Sequence, residues 1–337
     1  MTLLRGMRIF ALVAALALAA AGASSAEPLK IRIGWVVVPQ SLVPIFFDHP
    51  GLGKHLGQSY VLEPIHFNGS TPELPALATG DLDIATLAFS SFGLALQNAG
   101  LGDLRIISDE LQDGAEGYYT NEYMVLKDSP VKTVEDLKGK ILATNAIGGA
   151  ADIAMRAVMH KHHLESPKDY TIIEVNFPNM KAVLLDHKAD LISAVAPFSY
   201  DTGLLDKAHT LFTQKDGFGT TQLTFWTART GFIAKNRAAL VDFYEDALRS
   251  LRWYLDPANH REAIDIIARF TKAPPALFDG WAFTKKDYYR NRDGIPNLAA
   301  LQQNLTTQKE LGFLKADIDV QRYTDLSLVR EAGKRLQ

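Results

Sequence analysis

Apolar and polar positions alternate in short runs or cluster in short buried ones, with longer amphipathic stretches between them, the pattern of strands interleaved with helices. Ile31, Ile33 and Trp35 alternate with Arg32 and Gly34, which predicts a strand over 27–35, left by a loop at 36–40. Residues 43–56 read as a helix with Pro44 in its first turn, and 60–65 as a strand that Pro64 places at an edge or a bend. The polar turn Asn68-Gly69-Ser70-Thr71 then precedes a short helix led by Pro72 and Glu73 and closed at Gly80. Residues 82–87 read as a buried strand running into a second polar cap, Ser90-Ser91. Two helix N-termini therefore lie one strand apart, each with unpaired backbone N–H groups beside hydroxyls, an arrangement suited to a small anion or polar head group.

The stretch 101–123 is less regular and rich in Gly, Asp, Glu and Tyr, so a crossing between two domains is expected there. Beyond it the pattern restarts. Thr133 and Asp136 make a capping box for a short helix ending at Gly139, 140–144 are a strand, and Asn145 to Gly149 turn into a helix over about 150–163. A strand at 171–175 follows, and Phe177-Pro178-Asn179 lead a short helix to His187. Lys188 to Ile192 repeat the pattern of Gly80 to Ile84, with Leu77 and Asp83 in register with Leu184 and Asp190. The period of about 107 residues is domain-sized, pointing to two similar α/β halves. Residues 198–229 read as a return crossing. The rest is helical: Leu240, Phe243, Ala247, Leu251 and Tyr254 form one apolar stripe, and further helices are expected at 259–270 and 297–311.

Arg5 and Arg8 before an apolar run ending in Ser24-Ser25-Ala26 read as a secretory signal peptide over 1–26, cleaved after Ala26. Its removal takes two arginines and no acid, so the formal charge of −3 becomes −5 over 311 residues. A mildly acidic chain argues against nucleic acid, which needs a basic face. Cysteine is absent, which excludes a cysteine-linked lipid anchor, and a free periplasmic protein, not a lipoprotein, is the expectation.

Little points to catalysis. Ser90 and Ser91 lack the glycines of a nucleophile elbow, and there is no cysteine nucleophile or P-loop. His160, His162 and His163 at a helix end read as solvated side chains, Asp81 and Asp83 as turn and strand-start residues, and no metal or cofactor is expected. Trp35, Phe89, Phe198, Tyr200 and Trp226 all fall at or just past predicted strand ends, where a two-lobed protein walls its cleft. With Ser70, Thr71, Ser90, Asn145, Gly148 and Gly149 they would hold a charged head group on polar donors and cover an apolar tail with rings.

Four segments carry a family resemblance: Pro75 to Ala85, Lys127-Asp128-Ser129-Pro130 with Val134 to Lys140, Asn145 to Ala150, and Asp256-Pro257-Ala258-Asn259. On these the chain resembles the periplasmic substrate-binding proteins of nitrate, sulfonate and taurine ABC importers, which share a fold with thiamine-precursor binders. The resemblance implies an α/β, two-lobed periplasmic binding protein fold of type II, each lobe a sheet flanked by helices and hinged about a central cleft. Lobe I would take 27–118 plus 228–337, and lobe II 119–227. It further implies a monomer without enzyme activity that captures its ligand between the lobes and docks on permease subunits in the inner membrane. Carried over by position, the ligand residues are Trp35, Gln40, Asn68, Ser70, Thr71, Phe89, Ser90, Asn145, Gly148, Gly149, Phe198 and Trp226. Nitrate binders place a basic residue in the cleft, and these loops contain no Lys or Arg, so an organosulfonate or a carboxylate is expected in place of a bare inorganic anion. The alternatives are a pyrimidine or thiamine-precursor binder or enzyme on the same fold, for which the enzymes' cysteine-rich motif is missing, and a ligand-binding partner of a membrane sensor.

Overall fold

The computed structural model describes residues 27–98 and 100–337; the expected signal peptide lies outside them. Ten strands make two five-stranded sheets. The first contains β1 (Leu29–Trp35), β2 (Tyr60–His66), β3 (Ile84–Ala88), β4 (Leu104–Asp113) and β10 (Thr221–Arg229), in the order β2-β1-β3-β10-β4. The second contains β5 (Glu122–Leu126), β6 (Ile141–Thr144), β7 (Thr171–Glu174), β8 (Leu191–Ala194) and β9 (Ala208–Thr213), in the order β7-β6-β8-β5-β9. In each, four strands share one direction and one strand runs antiparallel among them: β10 between β3 and β4, β5 between β8 and β9.

The internal repeat has a physical basis. Asp83 Oδ2 accepts the Arg32 N–H at 2.9 Å while Arg32 O accepts the Asp83 N–H at 3.0 Å. Asp190 does the same with Ile141, at 2.9 Å through its carboxylate and 2.7 Å through its N–H. In both lobes a short helix with a buried leucine, Leu77 or Leu184, thus ends on an aspartate that pins the next strand to the first parallel strand. Asp83 also takes the Arg32 guanidinium in two hydrogen bonds, at 2.9 and 2.7 Å, the strong planar form of this pair.

The first sheet packs one face on helices Arg237–Tyr254, His260–Thr271 and Ser327–Arg335, which present Leu240, Phe243, Ile264, Ile267 and Leu328 to Ile31 and Ile33. Helices Phe89–Asn98 and Leu298–Glu310 lie in a second apolar cluster that runs on into the second lobe through Tyr123, Leu142 and Met155. Among the described residues no helix is long and apolar enough to cross a membrane.

Three expectations are corrected. The helix expected over 43–56 is a single 3-10 turn, Val43–Ile45, because Pro50 and the left-handed Gly51 (φ 87°) break any continuation. The irregular stretch after 101 holds the ten-residue β4, whose Ser108, Asp109, Glu110, Gln112 and Asp113 are polar yet buried, so no apolar alternation marked it. The expected crossing at 198–229 contains β9, the helix Gln214–Phe218 and β10, and β10 sits inside the first sheet, so by sheet membership the return to lobe I precedes Thr221 and not residue 228.

The two aspartate pins make a matched prediction. Asp83→Ala is expected to cost roughly 1–3 kcal/mol of stability, more than Asp190→Ala, because Asp83 holds the Arg32 guanidinium in two close bonds whereas Asp190 meets Lys140 only at 3.6 Å; urea unfolding of both variants measures this.

Candidate functional site

Loops from both sheets meet in one gap. Those after β1, β2, β6, β7 and β8 leave the carboxyl ends of parallel strands, where such sheets hold ligands. Because β5 and β10 run the other way, it is the start of β5 and the first half of β10 that reach the same gap. The lobes touch there directly: Gln40 Nε2 donates to Ala196 O at 2.5 Å, Asn145 Nδ2 to Asn68 O at 2.9 Å and Tyr200 Oη to Lys286 O at 2.6 Å, and the Tyr200 ring stacks on Trp281 with centroids 4.9 Å apart. The approach is close enough that a Cβ on Gly69 would stand 2.8 Å from Asn145 Nδ2.

Two adjoining spaces result. One is a chamber of about 60 Å³ whose polar wall is Gln40, Ser70, Asn121, Asn145, Thr224 and the Gly149 to Ala151 turn, completed by Val36, Ala88, Phe177, Val195 and Leu223. The other is an apolar cavity of about 410 Å³ walled chiefly by Trp35, Val37, Phe67, Phe198, Phe270 and Phe278. Val36 and Phe177 belong to both.

The chamber's donors are neutral. At Gly149 begins the helix Ala150–Lys161, whose first-turn N–H groups have no partner within the helix. Gly148, at φ 78°, makes the turn that glycine adopts without strain, and its N–H goes to the buried Asp152 at 2.9 Å. Asp152 also pairs with Arg156 at 2.8 Å. Ser70 shares a hydrogen bond with Ser91 at 2.8 Å, and Thr71 with the same hydroxyl at 3.0 Å. Asn121 is held in place from two sides, donating to Gln214 Oε1 at 3.0 Å and accepting from the Tyr288 hydroxyl. No Lys or Arg lines the chamber. The nearby Arg290 is committed to Asp287 at 3.0 Å and to the carbonyls of Pro39 and Gln40 at 2.8 and 3.3 Å.

Of the twelve residues singled out from the sequence, the chamber takes Gln40, Ser70, Asn145 and Gly149, and the apolar cavity takes Trp35, Asn68 and Phe198. Thr71 and Gly148 stand just behind the chamber wall through the contacts described. Three are placed elsewhere. Phe89 is core, its ring 5.0 Å from Phe218; Ser90 is fully buried at the start of its helix; Trp226 is 4% exposed among Phe46, Phe243 and Tyr244. Asn121, Phe177 and Thr224 were missed. Phe177 follows β7 and could have been found by the strand-end rule, but Asn121 and Thr224 lie towards the starts of antiparallel strands, where that rule does not look. The histidine cluster is dispersed on separate carboxylates, His160 on Glu165 and His162 on Glu135, the latter at 2.6 Å.

Residues 117–259 match the family described as NMT1/THI5 like. This matched domain spans less than half of the chain. The fold around that domain is similar to the alkanesulfonate-binding protein SsuA from Xanthomonas axonopodis pv. citri, solved bound to MOPS, at 19% identity and TM-score 0.67 over 91% of this chain and 98% of that one. It is similar also to the periplasmic nitrate-binding protein NrtA from Synechocystis PCC 6803, at 15% identity and TM-score 0.71 over 92% and 90%. The desulfurization enzyme DSZB shares it too, at 14% identity and TM-score 0.64 over 92% and 100%. The chain thus has the two-lobed α/β fold expected from its sequence, a fold that carries both binding proteins and an enzyme.

Since Trp226 is core and not cleft wall, Trp226→Ala is expected to remove roughly 3–5 kcal/mol of stability. Denaturant unfolding of the variant checks this.

Proposed function

We propose that this protein is a periplasmic solute-binding protein that captures a small organic anion with an apolar body and delivers it to the permease of an ABC importer. The observation that carries the reading is the junction of the two spaces at Val36 and Phe177: neutral donors on one side, an apolar cavity on the other. An anion entering a dry site must have its lost hydration replaced. Here the first-turn N–H groups of helix Ala150–Lys161, the hydroxyls of Ser70 and Thr224 and the free N–H of Asn145 would replace it without a formal positive charge. A sulfonate or carboxylate spreads its charge over several oxygens, which neutral donors can share. The apolar body would then lie against Phe177, Phe198 and Trp35, removing its surface from water at about 25 cal/mol per Å².

Capture would close the lobes, because the ligand bridges walls supplied by both and stabilises the state in which they meet. Catalysis has weaker support. No cysteine occurs in the sequence, and the chamber wall presents amides and hydroxyls without a histidine or carboxylate base beside a nucleophile. The same amides favour one competing ligand, a neutral pyrimidine of the thiamine-precursor kind.

Thermal unfolding against taurine, alkanesulfonates, benzenesulfonate, benzoate, nitrate and pyrimidines separates these. A true ligand at a hundredfold excess over its Kd stabilises the fold by about 2.7 kcal/mol. The expected responders are organic anions; a response to pyrimidines alone transfers the site to the competing reading, and a response to nitrate alone removes the role of the apolar cavity. Asn145→Ala deletes both a cleft donor and the bond to Asn68 O, and calorimetry is expected to show binding weakened about tenfold or more, the cost of one to two hydrogen bonds.

A further inference from the structure

Sharing Gln40 with the chamber is a small cavity of about 30 Å³ bordered by Asp109, Glu110, Trp226, Tyr244 and Arg290. Its polar atoms are under-used. Both carboxylate oxygens of Glu110, the Trp226 indole N–H, the Tyr244 hydroxyl and Nε of Arg290 are buried without a hydrogen-bond partner, and so is the Thr224 hydroxyl on the chamber wall. Glu110 is only 9% exposed. Glu110 falls in a register irregularity of β4, between Leu111, which pairs with Thr224 of β10, and Asp109, which pairs with Phe225, and neither of its oxygens closes a hydrogen bond. Gln40 and Thr224 both stand between Glu110 and the chamber, but the Gln40 amide is committed to Ala196 O and the Tyr288 hydroxyl, whereas the Thr224 hydroxyl has no partner.

A hydroxyl has a single proton to donate. If Glu110 is ionised, Thr224 gives that proton to the carboxylate and turns lone pairs towards the chamber, which repels an anion. If Glu110 is protonated, the carboxylic acid donates to Thr224, and Thr224 donates into the chamber. We propose that Glu110 determines the donor polarity of the chamber, so that an anionic ligand is held with Glu110 protonated and its capture takes up one proton from solvent. The proposal rests on the organic-anion reading above.

Among the carboxylates around it, Glu110 is the one with neither oxygen hydrogen-bonded. Asp109, its neighbour on β4, is committed to Gln222 Nε2 at 2.6 Å and the Asn291 N–H at 3.0 Å, and burial pushes it up to about 7. Arg290 faces it from the segment after Tyr288 and is neutralised by Asp287. Glu73, on helix Glu73–Thr79, and Tyr244, on helix Arg237–Tyr254, are both driven towards their neutral forms, first by burial. Burial also raises Glu110, against the opposing pull of Thr224, Ser41 and Arg290. An added negative charge in the chamber raises it further, so by linkage the affinity strengthens as pH falls, by at most tenfold per pH unit for one proton.

Benzenesulfonate stays ionised from pH 5 to 9, so any pH dependence of its binding belongs to the protein. Calorimetric titrations across that range, each in two buffers of different ionisation enthalpy, read Kd and proton count together. The expected result is net uptake approaching one proton per ligand, with Kd rising up to tenfold per pH unit on the alkaline side. Glu110→Gln should bind with a flat profile and no uptake, while Asp109→Asn keeps both. A wild-type Kd that is flat with buffer-independent heat overturns the proposal and leaves the organic-anion reading standing; a Glu110→Gln variant that keeps the slope also overturns it. The wild-type measurement decides even if the variant does not fold. Absence of benzenesulfonate binding at every pH, with no response to benzoate, defeats the organic-anion reading and this proposal with it.

Discussion

Each sheet takes in one antiparallel strand from a segment arriving from the other lobe, and the cleft depends on that constraint. β5 enters the second sheet from β4 of the first, and β10 enters the first after β9 of the second. Their reversed direction brings Asn121 and Thr224 to the gap into which the parallel strands also empty their loops. A chain confined to two independent wound domains would present only carboxyl-end loops, and the polar chamber would lack two of its five side-chain donors. The crossing also fixes the spacing of the lobes, since the segment 113–121 is braced by paired backbone bonds between Gln112 and Tyr289 and by the Tyr119 N–H on Asp287 O at 3.0 Å.

Placed in that gap, neutral donors are the energetically coherent choice. A buried cation would have to be desolvated whenever the lobes met without ligand, and an unpaired buried charge is strongly unfavourable. Amides, hydroxyls and helix-end N–H groups can instead hydrogen-bond across the gap to one another, as Gln40 does to Ala196 and Asn145 to Asn68. The charged groups beside the chamber are compensated where they can be: Arg290 by Asp287, Asp113 by the Thr120 hydroxyl and the Asn121 N–H, both at 2.6 Å. Glu110 stands apart with no bonded partner, which gives it a role beyond filling space.

Much of this was legible in the sequence, for reasons that can be located. Leu77 with Asp83 and Leu184 with Asp190 announced two similar lobes because one hydrogen-bonded device ends a helix and pins a strand in both. Asn145, Gly149, Ser70 and Gln40 were readable because parallel strands empty their loops on one side. β4 was not readable, because Asp109 and Asp113 are buried by hydrogen-bond satisfaction that no hydropathy pattern records. Trp226 and Phe89 show the limit of placing aromatics by strand ends: both sit near the cleft in sequence, yet each points its ring into the core. The false helix at 43–56 came from counting apolar positions and discounting Pro50 and Gly51.

The central claim is that one ligand spans the polar chamber and the apolar cavity, and a crystal structure of the protein grown with benzenesulfonate tests it most directly. Sulfonate oxygens are expected within hydrogen-bond reach of Ser70, Thr224 and the first-turn N–H groups at Ala150 and Ala151, with the ring directed past Phe177 towards Phe198 and Trp35. A ligand bound outside the gap, or one whose ring occupies the chamber with its sulfonate in the apolar cavity, would contradict it.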